Sequence, residues 1–447
     1  MFAALCVGAL VFAACGGDDD DDDPATDTTE ADDDASADAE PLKIGVVLVD
    51  YSAIADFVDF ERGDQEAIAQ AVIDDYNADG RVPYTLEAVF REYPPIPGSE
   101  PSPQAICTGM ADDEEVFAVL GVFIDFTGEG QLCLTRDKET IHIGHELQDA
   151  WIDEAPPALL LTPGGTPEAT AGNLIRLLGE EGMLEGKKVA VLGDDKSETR
   201  IDEVIVPGLE EIEADLGSTA VLTITGTDTS AAQSQLDGFI ARWKEEGVDT
   251  IFTAGLTAPA KQFADKIALE MPGVVLIADS PSLSASAQDA VASGADPNPY
   301  EGLISLDGET RSERWAEPNA KLQNCIDAVE AAIGHEIVRP DDIVPNENGK
   351  NVEEFVAVED FCDEVEMLVL GLEAAGAGVT NESWTTAIHG LGSIELPTAT
   401  VASLCEGKYA ANDMYRIVQF DPTIGENGDW KGVTELADAS GGKCSGG

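Results

Sequence analysis

From Pro41 onward the chain alternates short runs of β-branched and apolar residues with stretches of helical periodicity. This alternation is typical of a parallel sheet covered by helices on both faces, because each β/α unit returns the chain to the same edge of the sheet. Residues 42–49 open the series as a strand, and the helix after it places Ile68, Val72 and Tyr76 on one face. The sequence therefore predicts an α/β fold.

The same plan starts a second time at residues 187–193, and further strands are predicted at 220–225, 248–254 and 274–278. Two similar β/α units of about 120 residues predict two similar doubly wound parallel-sheet lobes rather than one large sheet. After residue 302 the alternation stops, and the late segments must return to lobes already built. Such repeated crossing predicts a multi-strand hinge, and hinges serve closure about a ligand.

Net charge excludes one large class of function. The chain has 24 Lys and Arg against 88 Asp and Glu, and thirteen of those acids lie in residues 18–40, which have no basic residue. The part after this segment therefore keeps 24 − 75 = −51 charges. Nucleic-acid binding needs a basic surface, so it is excluded as a function. The segment 18–40 is expected to be a solvated linker, since it cannot bury enough apolar surface.

Six of the eight cysteines follow residue 100, with wide spacing and no Cys-x-x-Cys pair. An even number of spaced cysteines favours disulfides in an exported chain, and six cysteines allow 15 connectivities. Proximity along the chain favours Cys107–Cys133, Cys325–Cys362 and Cys405–Cys444. Cys325 and Cys362 each share a helix face with apolar residues, so both are expected to point into packing.

Several segments, taken in order, resemble the leucine/isoleucine/valine-binding family of ABC-transporter substrate-binding proteins, which have the type I periplasmic-binding-protein fold. The segments that carry the resemblance are 43–49 with the helix that ends at Gly80, 116–121, 186–192, 247–252, 365–376 and 407–413. The resemblance covers about residues 42–435. It implies a monomer that delivers a small molecule to a membrane permease and that needs no cofactor.

The family topology also implies lobe boundaries. Lobe 1 would comprise residues 42–164 and 306–404, and lobe 2 would comprise residues 165–305 and 405–437, with a tail at 438–447. The family often bridges two cysteines about 25 residues apart in the first lobe, which Cys107 and Cys133 reproduce.

Ligands in this fold are held where strands end and helices begin, because free backbone N–H groups and helix dipoles are available there. The residues directly after predicted strands are therefore the candidate ligand contacts. From lobe 1 they are Tyr51, Ser52, Phe126, Thr127, His145 and Glu146, and from lobe 2 they are Asp194, Asp195, Leu256, Thr257, Asp279 and Ser280. This mixture favours a ligand with hydroxyl, amide or cationic parts over a free anion.

The N-terminus resembles the lipobox of bacterial lipoproteins, because an apolar run that contains no charge ends in two alanines before Cys15. Residues 1–14 would then be a signal peptide, and Cys15 would be the lipidated N-terminus of a mature chain outside the cytoplasmic membrane. Met1 leaves no room for a basic n-region, so we expect the true start to lie upstream.

Some residues invite alternative functions. His142, His145 and Glu146 invite a metal interpretation, but strand alternation sends the two histidines to opposite faces, so no metal site is predicted. No nucleophile elbow, Ser-x-x-Lys or phosphate loop occurs, so no catalytic residue is predicted. A ligand-sensing or scaffold lipoprotein of the same fold, without transport, stays open as the alternative.

Overall fold

The structure is a computed structural model. It describes residues 41–55, 58, 60–96, 98–124, 127–145, 147–223, 230–255, 260–279, 284–296, 298–342, 344–439 and 444. The strands are β1 (Pro41–Val49), β2 (Phe60–Glu61), β3 (Thr85–Tyr93), β4 (Ala118–Gly121), β5 (Ile141–Ile143), β6 (Leu160–Leu161), β7 (Lys188–Asp194), β8 (Asp215–Leu222), β9 (Thr250–Ala254), β10 (Val275–Ala278), β11 (Ile304–Asp307), β12 (Asn351–Val352), β13 (Gly392–Ile394), β14 (Ala402–Leu404), β15 (Met414–Asp421), β16 (Asp429–Gly432) and β17 (Ala437–Asp438).

The helices are α1 (Gln65–Asp79), α2 (Pro103–Thr108), α3 (Glu129–Leu132), α4 (Asp149–Glu154), α5 (Pro167–Glu180), α6 (Glu198–Arg200), α7 (Val206–Glu211), α8 (Ser230–Glu246), α9 (Ala260–Glu270), α10 (Ser284–Ala292), α11 (Arg311–Ala316), α12 (Ala320–Ile333), α13 (Glu354–Ala375) and α14 (Asn381–His389). A wider turn at Gly109–Asp113 continues α2, one at Cys133–Asp137 continues α3, and one at Ile201–Ile205 joins α6 to α7. None of the described helices is long and apolar enough to span a membrane.

Two sheets organise the structure, and both repeat one strand order. Sheet 1 has the order β3-β1-β4-β5-β6, and all of its pairs are parallel. Sheet 2 contains the parallel series β8-β7-β9-β10-β11, so in each sheet the first strand of the unit lies between the second and the third. The prediction of two similar doubly wound α/β units is confirmed.

Sheet 2 also has an antiparallel edge that the sequence pattern did not predict. β15 pairs antiparallel with β11, and β16 and β17 pair antiparallel with β15. β15 reaches this edge from the helices beside sheet 1 rather than through a β/α crossover. Its direction is therefore not constrained by the crossover geometry that makes the other strands parallel.

Late helices complete the core of sheet 1. One apolar cluster joins strand residues such as Ile44 and Leu120 to the buried faces of α1, α12 and α13. The predicted shared faces are confirmed, since Val329 on α12 and Leu368 on α13 have no exposed surface. A second and a third cluster surround sheet 2 on its two faces.

Three disulfides join Cys107 to Cys133, Cys325 to Cys362 and Cys405 to Cys444, which are the pairs that proximity along the chain favoured. The first links α2 to the helical turn after α3, and the second links the packed faces of α12 and α13. The third ties residue 444, near the end of the chain, to the residue that follows β14.

Two element boundaries differ from the sequence prediction. Helical periodicity predicts one helix near Ser312–Ile333. The structure divides it into α11 and α12, because Pro318 interrupts the helix and the Asn319 side chain caps the new one at the Leu322 N–H. The strand predicted at 220–225 is β8, which begins earlier, at Asp215. Its first residues include Asp and Gly, which have low strand propensity, so the sequence did not predict the start of the strand.

The chain crosses between the two sheets after β6, after β11 and before β15. Near the first and third crossings, the Thr162 N–H donates to the Tyr409 carbonyl at 3.0 Å, and the Ala411 N–H donates to the Thr162 carbonyl at 2.9 Å. The described residues from 41 onward nevertheless belong to one compact unit. The lobe boundaries at 164, 305 and 404 therefore stay a prediction.

Candidate functional site

The carboxyl ends of the parallel strands place polar side chains at matching positions in both sheets. β1 and β5 of sheet 1 are followed by Tyr51 and His145, while β7 ends at Asp194 and β10 is followed by Asp279. Other predicted contacts lie outside the described residues, namely Phe126, Glu146, Leu256, Thr257 and Ser280. The candidate site is therefore described from its remaining members and their neighbours.

On the sheet 2 side, Asp279 lies against Arg200 from the α6 helix. The Arg200 Nη1 atom is 3.3 Å from the Asp279 Oδ2 atom, and both side chains are largely buried, with 12% and 9% of their surface exposed. Burial raises the pKa of Asp279, and the positive charge of Arg200 and a hydrogen bond from the Gly255 backbone oppose that increase. The Arg200 Nε and Asp279 Oδ2 atoms are buried without a hydrogen-bond partner among the described residues.

Asp194 shapes the start of the helix that carries Arg200. Its Oδ1 atom accepts hydrogen bonds from the Ser197 N–H at 2.9 Å and from the Ser197 hydroxyl at 2.7 Å. Burial raises the pKa of Asp194, and the Ser197 hydrogen bonds oppose this. Gly255 packs against this turn with positive φ, and a Cβ atom there would come within 2.1 Å of the Ser197 Oγ atom. Asp194 therefore fixes the turn that leads into the Arg200 helix. We call Asp194, Arg200 and Asp279 the sheet 2 wall.

On the sheet 1 side, His145 faces two acidic residues of α13. Its Nε2 atom is 3.5 Å from Asp360 Oδ1 and 3.9 Å from Glu364 Oε1, and it has no hydrogen-bond partner among the described residues. Glu364 is almost fully buried, which raises its pKa well above the usual range, and the nearby Asp360 charge adds to the increase. We call His145, Asp360 and Glu364 the sheet 1 wall. A neutral Glu364 beside His145 limits the negative charge that is buried in this wall.

Tyr51 belongs to the same wall through Arg62. The Arg62 guanidinium lies 4.5 Å from the centroid of the Phe60 ring and 5.8 Å from that of the Tyr51 ring, and it pairs with Glu353. Burial raises the pKa of Tyr51, while Arg62 opposes this and Asp360 adds to it. The charge of Asp360 therefore acts on Tyr51 and lies close to His145.

Three predicted residues are exposed and form hydrogen bonds to residues nearby. Ser52 donates to Asp50 Oδ1 at 2.5 Å, Thr127 accepts from the Glu129 N–H at 3.4 Å, and the Asp195 N–H donates to the Leu222 carbonyl at 3.1 Å. Their bonds are typical of turns and caps.

The two sides meet at α4 and α5. The Asp149 N–H donates to Glu168 Oε2 at 3.2 Å, which links a helix beside sheet 1 to the helix that leads into sheet 2. Burial raises the pKa of Glu168, and the positive charge of Arg200 opposes this increase. Arg200 therefore lies in electrostatic reach of the junction between the two sides as well as of Asp279.

The described residues contain no group of three or more His, Cys, Asp or Glu that could hold a metal ion. His142 is fully buried and lies 3.0 Å from the Gly121 carbonyl through its Nε2 atom, whereas His145 faces α13. Burial lowers the pKa of His142 to about 4, so its ring is neutral near pH 7. The two histidines do not converge on one point.

Four members of the walls were missed from the sequence, namely Arg62, Arg200, Asp360 and Glu364. Arg200 could have been predicted from the sequence. It lies in the short helix α6, shortly after the predicted contacts Asp194 and Asp195, and the chain has few cations. Asp360 and Glu364 had none. They lie on a helix far along the chain, and only the tertiary packing of that helix against sheet 1 brings them to His145.

Comparison with known proteins agrees with this architecture. No protein-family model matches the chain, and no curated protein matches it. Solved structures do match. A leucine-binding protein from Thermotoga maritima gives a TM-score of 0.62 at 11% identity, with 89% of this chain and 99% of that chain covered.

Two further matches are crystal structures with bound ligand. A solute-binding protein of an ABC transporter from Rhodopseudomonas palustris, in complex with 3,4-dihydroxybenzoic acid, gives a TM-score of 0.61 at 13% identity, covering 89% of this chain and 98% of that chain. An ABC-transporter substrate-binding protein from Desulfitobacterium hafniense, in complex with Leu, gives 0.60 at 15% identity, covering 88% and 100%. The chain has the type I periplasmic-binding-protein fold, and the resemblance stated from the sequence is confirmed for the fold.

Proposed function

We propose that this chain is an extracytoplasmic solute-binding lipoprotein of an ABC importer, which captures a small polar ligand, such as an amino acid, an amide or a related compound, between two closing lobes. The observation that carries the proposal is the pair of polar walls at the carboxyl ends of the two sheets. Of the twelve buried side-chain atoms that have no hydrogen-bond partner among the described residues, His145 Nε2, Arg200 Nε and Asp279 Oδ2 lie there. Buried polar atoms are normally paired, so these atoms are suited to meet a ligand.

The chemistry of the walls favours a ligand that has both hydrogen-bond donors and acceptors. Arg200 can donate to a carboxylate or carbonyl oxygen, and Asp279 can accept from an ammonium or amide group. His145 offers a ring nitrogen from the opposite wall. A ligand that touches both walls adds affinity only to the closed state, and this difference in affinity drives closure.

The solved neighbours support a transport role without selecting a ligand. Among them are one solute-binding protein in complex with benzoate, one in complex with leucine and one of a fatty-acid transporter. One fold thus carries chemically different sites, and the ligand of this chain has to follow from its own residues. The absence of a nucleophile or metal motif in the sequence supports binding rather than catalysis.

Closure can be measured directly. We expect native mass spectrometry of the purified protein to reveal a small copurifying molecule, and small-angle scattering to show compaction when that molecule is added to the ligand-free protein. Scattering curves that coincide with and without the bound molecule would contradict a closing cleft. Binding with compaction, in a chain encoded away from permease and ATPase genes, would favour the ligand-sensing alternative.

The anchor is a separate part of the proposal, supported by the apolar run that ends at Cys15. Expressed with an upstream start, the wild-type chain should partition into membranes and incorporate a fatty-acid analogue, because lipobox cysteines are acylated. The Cys15→Ser variant should do neither, and Cys6→Ser is the matched control that should behave as wild type. Equal labelling of wild type and Cys15→Ser would rule out this anchor.

A further inference from the structure

The three chain segments that cross between the two sheets are adjacent to one another. In the first crossing, a Cβ atom added at Gly165 would come within 2.7 Å of the Tyr415 hydroxyl. In the second crossing, a Cβ atom added at Gly308 would come within 3.3 Å of the Met414 carbonyl oxygen. Tyr415 and Met414 are the first residues of β15, which continues the third crossing. The three crossings therefore form one narrow junction, and any rotation of one side relative to the other has to bend the chain there.

A disulfide adds a covalent connection beside this junction. Cys405 directly follows β14, and Leu404 of that strand is part of the sheet 1 core. Its partner Cys444 follows β17, which pairs with β15 of sheet 2, and Ala439 after β17 packs against a sheet 2 cluster. The bond between Cys405 and Cys444 therefore joins a segment anchored in sheet 1 to a segment anchored in sheet 2.

This connection has little slack. The Asp413 N–H donates to the Val401 carbonyl at 3.2 Å, and the Ala439 N–H donates to the Asp413 carbonyl at 2.7 Å, so both segments start beside the same residue of the third crossing. From there, four extended residues carry the chain from Val401 to Cys405, about 13 Å. Five residues from Ala439 to Cys444 reach at most about 17 Å. A link that is barely longer than the distance it spans limits how far its two ends can separate.

The same disulfide differs from the other two in its exposure to solvent. Cys405 and Cys444 are partly exposed, whereas the four cysteines of the other two bonds are at most 3% exposed. Thiol–disulfide exchange needs access of an attacking thiolate to a sulfur atom. A dithiol should therefore open this bond selectively in the folded protein. The dithiol is oxidised to a disulfide in that exchange, and Cys405 and Cys444 are each released as a thiol.

We propose that the Cys405–Cys444 disulfide is a reducible fourth connection of the hinge, and that it restricts the relative rotation of the two sides while it is intact. This inference rests on the closing cleft of the proposed function. The three crossings are single segments that can bend, and the covalent link beside them removes part of that freedom. A hinge with fewer open conformations loses less conformational entropy when a ligand closes the cleft. Reduction restores the freedom without cutting the chain.

Pulsed electron paramagnetic resonance tests the inference as a distribution of distances between two spin labels. The labels are attached by chemistry that does not use cysteine, at the exposed positions Ala78 on α1 and Leu269 on α9, which lie on the two sides. In the ligand-free full chain, Cys405→Ser/Cys444→Ser should give a broader distribution than wild type, by more than the variation between preparations. Equal widths would overturn the inference.

The matched control is Cys107→Ser/Cys133→Ser, which removes a link between two elements that both pack on sheet 1 and should keep the wild-type width. A control that broadens the distribution as much as the hinge variant does would overturn the inference, because a general loss of stability would then explain both results. Thermal unfolding of each variant shows that the measurement is made on folded protein.

Brief treatment of the wild type with dithiothreitol, followed by alkylation and peptide mapping, gives the same comparison without a mutation and serves if the hinge variant does not fold. Cys405 and Cys444 should be alkylated first, and the distribution should broaden with their alkylation. Earlier alkylation of the buried cysteines, or an unchanged width after selective reduction, would overturn the inference. If the width is unchanged while a copurifying molecule still compacts the protein, the disulfide is not part of the hinge and the solute-binding function remains supported.

Discussion

Replacing Asp279 with asparagine should lower the affinity for the copurifying ligand about a hundredfold while the protein stays folded. Asp279 is almost fully buried, pairs with Arg200 at 3.3 Å and keeps its Oδ2 atom without a hydrogen-bond partner among the described residues. Losing one partner of a buried charge pair that contacts a ligand typically costs 2–5 kcal/mol of binding free energy, roughly 30-fold or more in affinity. Calorimetric titration with the ligand identified by mass spectrometry measures the effect.

The control residue lies at the amino end of a strand of the same sheet, whereas Asp279 lies at the carboxyl ends of the strands. Asp215 begins β8 and its side chain is 68% exposed, so Asp215→Asn should leave the affinity within about twofold of wild type. Arg200→Gln/Asp279→Asn removes both charges and should bind no better than the single variant. If Asp279→Asn binds ligand as well as Asp215→Asn does, Asp279 is not a ligand contact.

The sequence predicted those residues of the candidate site that end a strand or closely follow one. Asp194, Asp279 and His145 follow or end strands whose apolar runs are easy to recognise, and parallel strands gather their carboxyl ends at one edge. The repeated order of the two sheets follows from the same alternation. For these residues, local pattern and global fold give the same answer.

The missed residues depend on packing that no local pattern specifies. The sequence pattern of α13 is that of a long apolar helix with interspersed acidic residues. From this pattern, Asp360 and Glu364 would be expected on the face that is exposed to solvent. The packing of α13 against β4 and β5 instead turns Glu364 inward, where 1% of it is exposed. The antiparallel edge of sheet 2 was missed for a similar reason, because β15 follows helices beside sheet 1 and no local pattern specifies its direction.

Asp363, the neighbour of Glu364, gives the largest expected effect on stability. It is 3% exposed, and its Oδ1 atom accepts the Thr398 N–H at 2.9 Å. Burial raises the pKa of Asp363 to about 7, although the Thr398 hydrogen bonds favour the charged form. Desolvation therefore outweighs the hydrogen bonds, and the folded state holds a proton that the unfolded chain releases.

The sign of the pH dependence follows from this difference in proton binding. The stability contributed by protonated Asp363 is fully present below the unfolded-state pKa of 3.8 and is lost as the pH rises to the folded-state pKa of about 7. A shift of about three pKa units corresponds to roughly 4 kcal/mol of unfolding free energy lost across this range. Asp363→Asn should therefore be more stable than wild type at pH 8 and should match it at pH 4.

Chemical denaturation at pH 4, 6 and 8 measures this prediction as the difference between variant and wild type, so that other titrating groups cancel. Asparagine can still accept the Thr398 N–H, which separates the effect of the charge from the loss of a hydrogen bond. Glu364→Gln should shift stability in the same direction, because burial raises that pKa as well. A difference between Asp363→Asn and wild type that stays constant from pH 4 to pH 8 would show that Asp363 is ionised in the folded protein throughout, and that the Thr398 bonds outweigh burial.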